Sequence, residues 1–137
     1  MCKEIITNYL NLINSKIDIE VAVLFGSCAR NDAIGYTDID IFIISNSLPK
    51  DYFMRLDLLW PEKPGRIDII PWRPEELQDR LTSGFIMDIF LDGVPIIGDK
   101  EFYNIKNQIK QYLLQNNLQR TEFGYHKITT QEGSSVL

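Results

Sequence analysis

The stretch LFGSCARNDAIGYTDIDIFII, Leu24 to Ile44, places two aspartates in a segment that otherwise has the composition of a buried strand. Because an unpaired carboxylate is very costly to bury, Asp38 and Asp40 need a reason to be there. Side chains alternate between the two faces of a strand, so these aspartates are predicted to share a face, roughly 6.5 to 7 Å apart. Two like charges at that spacing repel each other, which indicates a site for a positive charge.

A third aspartate has similar surroundings farther along the chain. Asp68 lies between two isoleucines in RIDII, Arg66 to Ile70, a predicted strand that could lie beside the first one. Hard carboxylate oxygens are the ligands that Mg²⁺ selects, commonly one or two of them together with substrate phosphates. Three aspartates on adjacent strands therefore predict a two-metal site. Two simpler interpretations stay open: a solvated strand face for Asp38 and Asp40, and a salt-bridged surface for Arg66 and Asp68.

The turn near the start of the quoted stretch fits an anion. A strand over Glu20–Phe25 is predicted to stop at Gly26, and a helix to open at Cys28–Arg30, so that free N–H groups at the positive helix end face outward. Glycine permits close backbone approach, the Ser27 hydroxyl donates a further bond, and Arg30 adds a planar cation. We expect substrate phosphates here; the alternatives are a plain strand-to-helix turn and a surface role for Arg30.

Together these residues resemble a known signature. Gly26-Ser27, ten residues, then Asp38-Ile39-Asp40 is similar to the G-S-x10-D-x-D pattern of the DNA polymerase β-like nucleotidyltransferase superfamily, in its small form the minimal nucleotidyltransferases. The resemblance is firm over Phe25 to Ile44, extends to RIDII as the third-carboxylate strand, and weakly includes the stretch from Arg73 to Asp99.

Two positions depart from that pattern. Asn31 follows Arg30 where the family usually has glycine, and Thr37 stands where serine often precedes the first aspartate. Asparagine tolerates the left-handed backbone better than other non-glycine residues, and threonine keeps the hydroxyl. Both substitutions are therefore compatible with the same turn.

The resemblance implies a Mg²⁺-dependent transfer of a nucleotidyl group from ATP or another nucleoside triphosphate, with loss of pyrophosphate. Asp38 and Asp40 would hold two Mg²⁺ ions with the triphosphate, and Asp68 would hold the metal on the nucleophile side and help to deprotonate the acceptor hydroxyl. The resemblance further assigns nucleotide binding to Gly26 and to two residues after it, Ser27 and Arg30. Positioning and charge neutralisation would supply most of the catalysis.

The resemblance also implies a partner. Minimal nucleotidyltransferases of this size often pair with a small helical HEPN-domain protein in toxin-antitoxin modules, in which the nucleotidyltransferase is the antitoxin and adds AMP to the toxin. The chain would then be a protein adenylyltransferase. The alternatives are transfer to a small molecule or an RNA end, and a catalytically inactive subunit that only binds its partner.

Composition and charge bear on the kind of acceptor and on the location of the protein. With a net charge of -5, the sequence lacks the clustered basic residues of a broad nucleic-acid surface. No apolar run approaches the length of a membrane span, and nothing resembles a signal peptide, so we expect a soluble cytoplasmic protein. The sequence leaves the oligomeric state open, a homo-oligomer included.

The predicted fold class is α+β, a nucleotidyltransferase fold with a small mixed sheet and helices packed on one face. At 137 residues and 45% hydrophobic content, one domain over residues 1–120 is expected, followed by a flexible tail over 121–137. VPII, Val94 to Ile97, is predicted to be a strand at an edge or an end because it contains Pro95. Hydrophobic periodicity and caps predict helices over Lys3–Ser15 and Tyr52–Trp60, from Pro74, before Gly93, and from about Phe102 to Leu118.

Overall fold

The computed structural model describes residues 2–26, 29, 38–61 and 63–128. The chain alternates helices and strands much as the sequence predicts, with boundaries that differ by a few residues. The elements are α1 Cys2–Ile13, β1 Val21–Phe25, β2 Ile39–Ile44, α2 Tyr52–Leu59, β3 Ile67–Trp72, α3 Pro74–Asp79, α4 Gly84–Asp92, β4 Val94–Ile97, α5 Asp99–Gln115, β5 Leu118–Thr121 and β6 Gly124–Lys127.

Four strands form a mixed sheet in the order β3-β2-β1-β4. Strand β1 is antiparallel to both of its neighbours, whereas β2 and β3 run parallel. The predicted strand VPII is the edge strand β4, and Pro95 lies in register with Val23. The α+β class, the mixed sheet and the edge position of this strand are therefore confirmed.

Helices cover both faces of the sheet, which corrects the prediction that they pack on one face. Strand β2 sends Ile39, Ile41 and Ile43 into a core with α1 and α2, and sends Phe42 and Ile44 into a second core with α3, α4 and α5. The reason is that both side-chain sets of β2 are apolar. A strand that is apolar on both faces needs a covering layer on each.

An ion pair between a buried arginine and a partly exposed glutamate fixes α2 and α3 near the carboxyl end of the parallel strand pair. The Arg55 guanidinium, 1% exposed, donates to both carboxylate oxygens of Glu76 at 2.7 and 2.8 Å and to the carbonyls of Pro49, Lys50 and Pro71. The bonds from the Arg55 guanidinium, and after them the bond from the backbone N–H of Arg73, lower the pKa of Glu76. The network therefore anchors two helices at the end of the sheet away from Asp40 and Asp68.

The segment after α5 forms a two-stranded antiparallel hairpin of β5 and β6. The predicted flexible tail, 121–137, thus begins within a hairpin, and residues 129–137 lie outside the described part. The strands are short and mostly polar, so they carry no alternating apolar pattern that could have predicted them. Among the helices of the described residues, none is long and apolar enough to cross a membrane.

Candidate active site

Asp40 and Asp68 are paired positions on the parallel strands β2 and β3. Neighbouring strands are about 4.8 Å apart, and paired residues direct their side chains to the same face. That face is the one on which Phe42 packs against α4. The two carboxylates are therefore neighbours at the amino end of the parallel pair, and the prediction that the strand of Asp68 lies beside that of Asp40 is confirmed.

Asp38 comes directly before β2, which begins at Ile39. Its side chain is exposed, as is that of Asp68, while Asp40 is partly buried. The next residue on the face of Asp40 is Phe42, which is completely buried. The strand therefore changes from solvent-accessible carboxylates to apolar core within two residues, and the acids remain at the rim where a ligand can reach them.

The turn after β1 lies directly against Asp40. Gly26 has a φ of +78°, and a Cβ built on it would collide with Oδ2 of Asp40. Phe25, the residue before it, is the register partner of Asp40 on β1. A glycine is required here both for its left-handed backbone and for the space that the carboxylate occupies.

A cleft of about 240 Å³ opens beside Gly26. Helix α4 forms one wall, and the Phe85 ring meets the Phe25 ring edge to face with centroids 6.1 Å apart. The half-exposed Phe85 leaves part of its ring accessible. The lining residues are Phe25, Gly26, Ala29, Phe85, Asp88, Ile89 and Asp92.

Sequence reasoning missed the contribution of α4 to this cleft. The helix is strongly apolar, with Ile86, Met87, Ile89 and Phe90 buried, and the sequence predicts it only as a short helix before Gly93. The signal that could have identified it is the spacing of Phe85, Asp88 and Asp92. Residues three and four apart share one helical face, so these residues form a polar and aromatic stripe opposite the buried one.

The remaining predicted residues are only partly placed. Ser27 and Arg30 lie outside the described residues, as do Asn31 and Thr37 and the predicted helix over Cys28–Arg30 apart from Ala29. Within the part of the chain that is described, no group of three or more His, Cys, Asp or Glu side chains is arranged to hold a metal ion. The neighbouring carboxylates of Asp40 and Asp68 nevertheless have the oxygen chemistry that suits Mg²⁺ when substrate phosphates supply further ligands.

Residues 6–102 match the family described as Polymerase beta, Nucleotidyltransferase. The match includes the turn at Gly26 and all three aspartates, and it ends before the hairpin. No curated protein matches the sequence significantly.

Several solved structures share the fold at low sequence identity. A toxin-antitoxin structure with AMP-PNP matches with a TM-score of 0.58 and 16% identity, covering 84% of this chain and 89% of the other. A mutant of the toxin-antitoxin pair MntA-HpeT matches with a TM-score of 0.56 and 15% identity, covering 80% and 86%. A complex of a tri-AMPylated HEPN toxin with its MNT antitoxin, from Shewanella oneidensis, matches with a TM-score of 0.54 and 19% identity, covering 84% and 91%.

Proposed function

The chain belongs to the Polymerase beta nucleotidyltransferase family, and on that premise we propose that it transfers AMP from ATP to a hydroxyl group of a protein partner. The observation that carries the proposal is the register pair of Asp40 and Asp68 beside the Gly26 turn. Two adjacent carboxylates attract a divalent cation, and a glycine turn with exposed backbone favours phosphate. The Gly26 turn lies against Asp40 and also lines the cleft, so a triphosphate in the cleft would lie next to that carboxylate.

The carboxylate oxygens of Asp40 and Asp68 suit Mg²⁺ when substrate phosphates supply further ligands. Asp38 and Asp40 would hold the ions that accompany the triphosphate, and Asp68 would hold the ion on the side of the acceptor. When bound, these ions would neutralise charge on the phosphates and favour the deprotonated form of the acceptor hydroxyl. Ser27 and Arg30 would add a hydroxyl donor and a planar cation for the phosphates.

In the proposed reaction the oxygen of the acceptor hydroxyl attacks the α-phosphorus of ATP. The bond from that phosphorus to the oxygen leading to the β-phosphorus breaks, and pyrophosphate leaves with the electron pair. Asp68 helps to accept the proton of the hydroxyl, since it lies at the exposed rim beside Asp40. Most of the rate enhancement then comes from holding nucleotide and acceptor in line within a charge-neutralised site.

The proposed partner is a HEPN-type toxin, for which this chain is the antitoxin. Support comes from the relatives of similar fold: one structure contains an AMPylated HEPN toxin with an MNT antitoxin, and another contains AMP-PNP. This chain matches most of the length of each of those chains, so it has a domain of the same extent with which to bind a similar partner. Its net charge of -5 favours a protein acceptor over a polynucleotide.

A label-transfer experiment tests the proposal. The purified protein is incubated with Mg²⁺ and ATP labelled at the α-phosphorus, together with either the protein encoded next to it or tRNA. We expect label on the neighbouring protein, dependent on Mg²⁺ and lost in Asp40→Asn. The matched control is Asp57→Asn, an exposed carboxylate on α2.

The other outcomes separate the alternatives. Label on tRNA with none on protein would replace the protein acceptor with an RNA end. Nucleotide binding without transfer to either acceptor would contradict the protein-AMPylation proposal and favour a catalytically inactive binding subunit.

A further inference from the structure

A charged cluster ties the hairpin of β5 and β6 to the wall of the cleft. Arg120 on β5 donates from Nη1 and Nη2 to the two carboxylate oxygens of Asp92, at 2.9 and 2.8 Å. Its Nη1 also contacts Oδ1 of Asp88 at 3.2 Å. Both aspartates lie on α4 and line the cleft beside Gly26. One guanidinium therefore neutralises part of the charge of two carboxylates that face the candidate nucleotide site.

Tyr125 on β6 completes the cluster without adding charge. Its hydroxyl donates to Oδ1 of Asp88 at 2.6 Å. Burial, followed by the bond to Asp88, raises the pKa of Tyr125, so the phenol stays protonated. The bonds to Asp92 and Asp88 raise the pKa of Arg120 and keep it cationic. The hairpin thus places one positive charge, that of Arg120, against the carboxylates of α4.

That charge matters because the charged side chains that line the cleft, among the described residues, are both acidic. Asp88 and Asp92 line the cleft, and Asp40 lies against Gly26, which lines it as well. A nucleoside triphosphate with one Mg²⁺ bound remains anionic, so negative charge on the wall repels it. Repulsion across a partly solvated cleft acts over several ångströms and weakens with ionic strength.

We propose that Arg120 is a positioning residue for the nucleotide: by neutralising charge on Asp88 and Asp92, it allows the cleft to accept an anionic substrate. This inference rests on the proposed function and deepens it. It assigns a role in substrate binding to a hairpin that follows residue 102, the last residue of the family match. The C-terminal segment is then part of the site, and Arg120 acts through the two carboxylates without touching the reacting atoms.

A simpler role for Arg120 is to anchor the hairpin, and a set of variants separates the two roles. Arg120→Gln removes the charge, and Arg120→Lys keeps the charge but loses the bidentate geometry. Arg120→Gln combined with Asp92→Asn removes one charge of each sign. Tyr125→Phe removes a hairpin-to-helix bond and no charge. Each variant is checked for folding by thermal melting before its affinity is compared.

The measurement is the dissociation constant for Mg²⁺ with AMP-PNP, by calorimetry at low and at high salt. At low salt we expect Arg120→Gln to bind about three- to tenfold more weakly than the parent, with the difference shrinking at high salt. The double variant should recover to within about twofold of the parent, since the net charge on the cleft wall is restored. Arg120→Lys and Tyr125→Phe should also stay within about threefold of the parent.

Two results would overturn the inference while leaving the proposed function intact. One is an Arg120→Gln variant that binds as tightly as the parent at low salt. The other is a double variant that is as weak as Arg120→Gln, which would make Arg120 an anchor or a direct ligand. If Arg120→Gln does not fold, the affinities of the double variant and of Arg120→Lys are compared with that of the parent instead. Binding weaker than the ranges given above would then overturn the inference. A parent protein that binds no nucleotide would overturn both proposals together.

Discussion

Asp40 and Asp68 face each other across the parallel strands β2 and β3, as register partners on one face of the sheet. Like charges at opposed strand positions destabilise a sheet, so this pair costs folding free energy in the absence of a cation. The turn at Gly26 lies against Asp40, so the backbone that we propose for phosphate binding is next to the same carboxylate. The pair therefore connects the stability of the domain with the ligand that the site is proposed to bind.

Neutralising one member of this pair is expected to stabilise the protein when no metal is present. In EDTA, Asp68→Asn should raise the free energy of unfolding by about 0.2–1 kcal/mol, because it removes repulsion from Asp40. For a domain of this size the melting temperature rises by about 1–4 °C. The control Asp57→Asn, on α2, should change the melting temperature little. A melting temperature lowered by Asp68→Asn would argue against repulsion within the pair.

The same variant should separate nucleotide binding from transfer. Asp68 is assigned to the acceptor side, so Asp68→Asn should bind Mg²⁺ with AMP-PNP to within about threefold of the parent and lose about a hundredfold or more in transfer rate. Single-turnover label transfer and calorimetry measure the two quantities. Equal losses in binding and in transfer would place Asp68 with the triphosphate instead.

Gly26 should not tolerate a side chain. Gly26→Ala introduces a Cβ at a φ of +78° and against the Asp40 carboxylate, and we expect it to cost about 1–3 kcal/mol of stability and to abolish transfer. Gly65→Ala is the matched control, because a Cβ there meets nothing within 4 Å. Urea unfolding compares the two variants. Equal stability of both would show that the Gly26 turn relaxes at little cost.

The Arg55–Glu76 pair should make stability depend on pH. Its bonds lower the pKa of Glu76 in the folded protein below the ordinary value of 4.5. Their stabilising contribution is therefore complete above pH 4.5 and is lost as pH falls through the lowered value. Glu76→Gln should destabilise by about 1–3 kcal/mol at pH 7, moderated by the partial exposure of Glu76 and the carbonyl partners left to Arg55.

The difference in the free energy of unfolding between the parent and Glu76→Gln should shrink in acid, since Glu76 of the parent is then protonated. Urea unfolding at a series of pH values measures it. Glu75→Gln is the control, because the Glu75 side chain is 58% exposed and its pair with Arg73 lies at the surface. A pH-independent difference would mean that the loss comes from packing alone.

Local patterns in the sequence predicted the parts of the fold that depend on neighbouring residues. The alternation in DIDIFII predicted strand β2, and Pro95 predicted an edge strand. The position of Pro74 before two glutamates predicted the start of a helix, and α3 begins at Pro74. The residues of the candidate site on β2 and β3 were found in the same way, because carboxylates interrupt otherwise apolar strands there.

Features that depend on distant residues were not predictable in this way. The contact between Arg120 and Asp92 joins residues 28 positions apart in sequence, and the polar strand that carries Arg120 has no periodic signal. From the sequence alone, Arg55 would be interpreted as a surface charge on a short helix. Its hydrogen-bond partner Glu76 lies 21 positions later in the chain. The role of α4 as a cleft wall likewise depends on where the turn at Gly26 meets it.

The most direct test of the account is calorimetric titration of the protein with AMP-PNP, with and without Mg²⁺. The control Asp57→Asn shows whether any loss is specific to the site. We expect binding that requires Mg²⁺ and that falls at least about tenfold in Asp40→Asn, since this carboxylate lies against the Gly26 turn and beside Asp68. Binding of equal affinity by Asp40→Asn and the parent, or binding that does not depend on Mg²⁺, would contradict it.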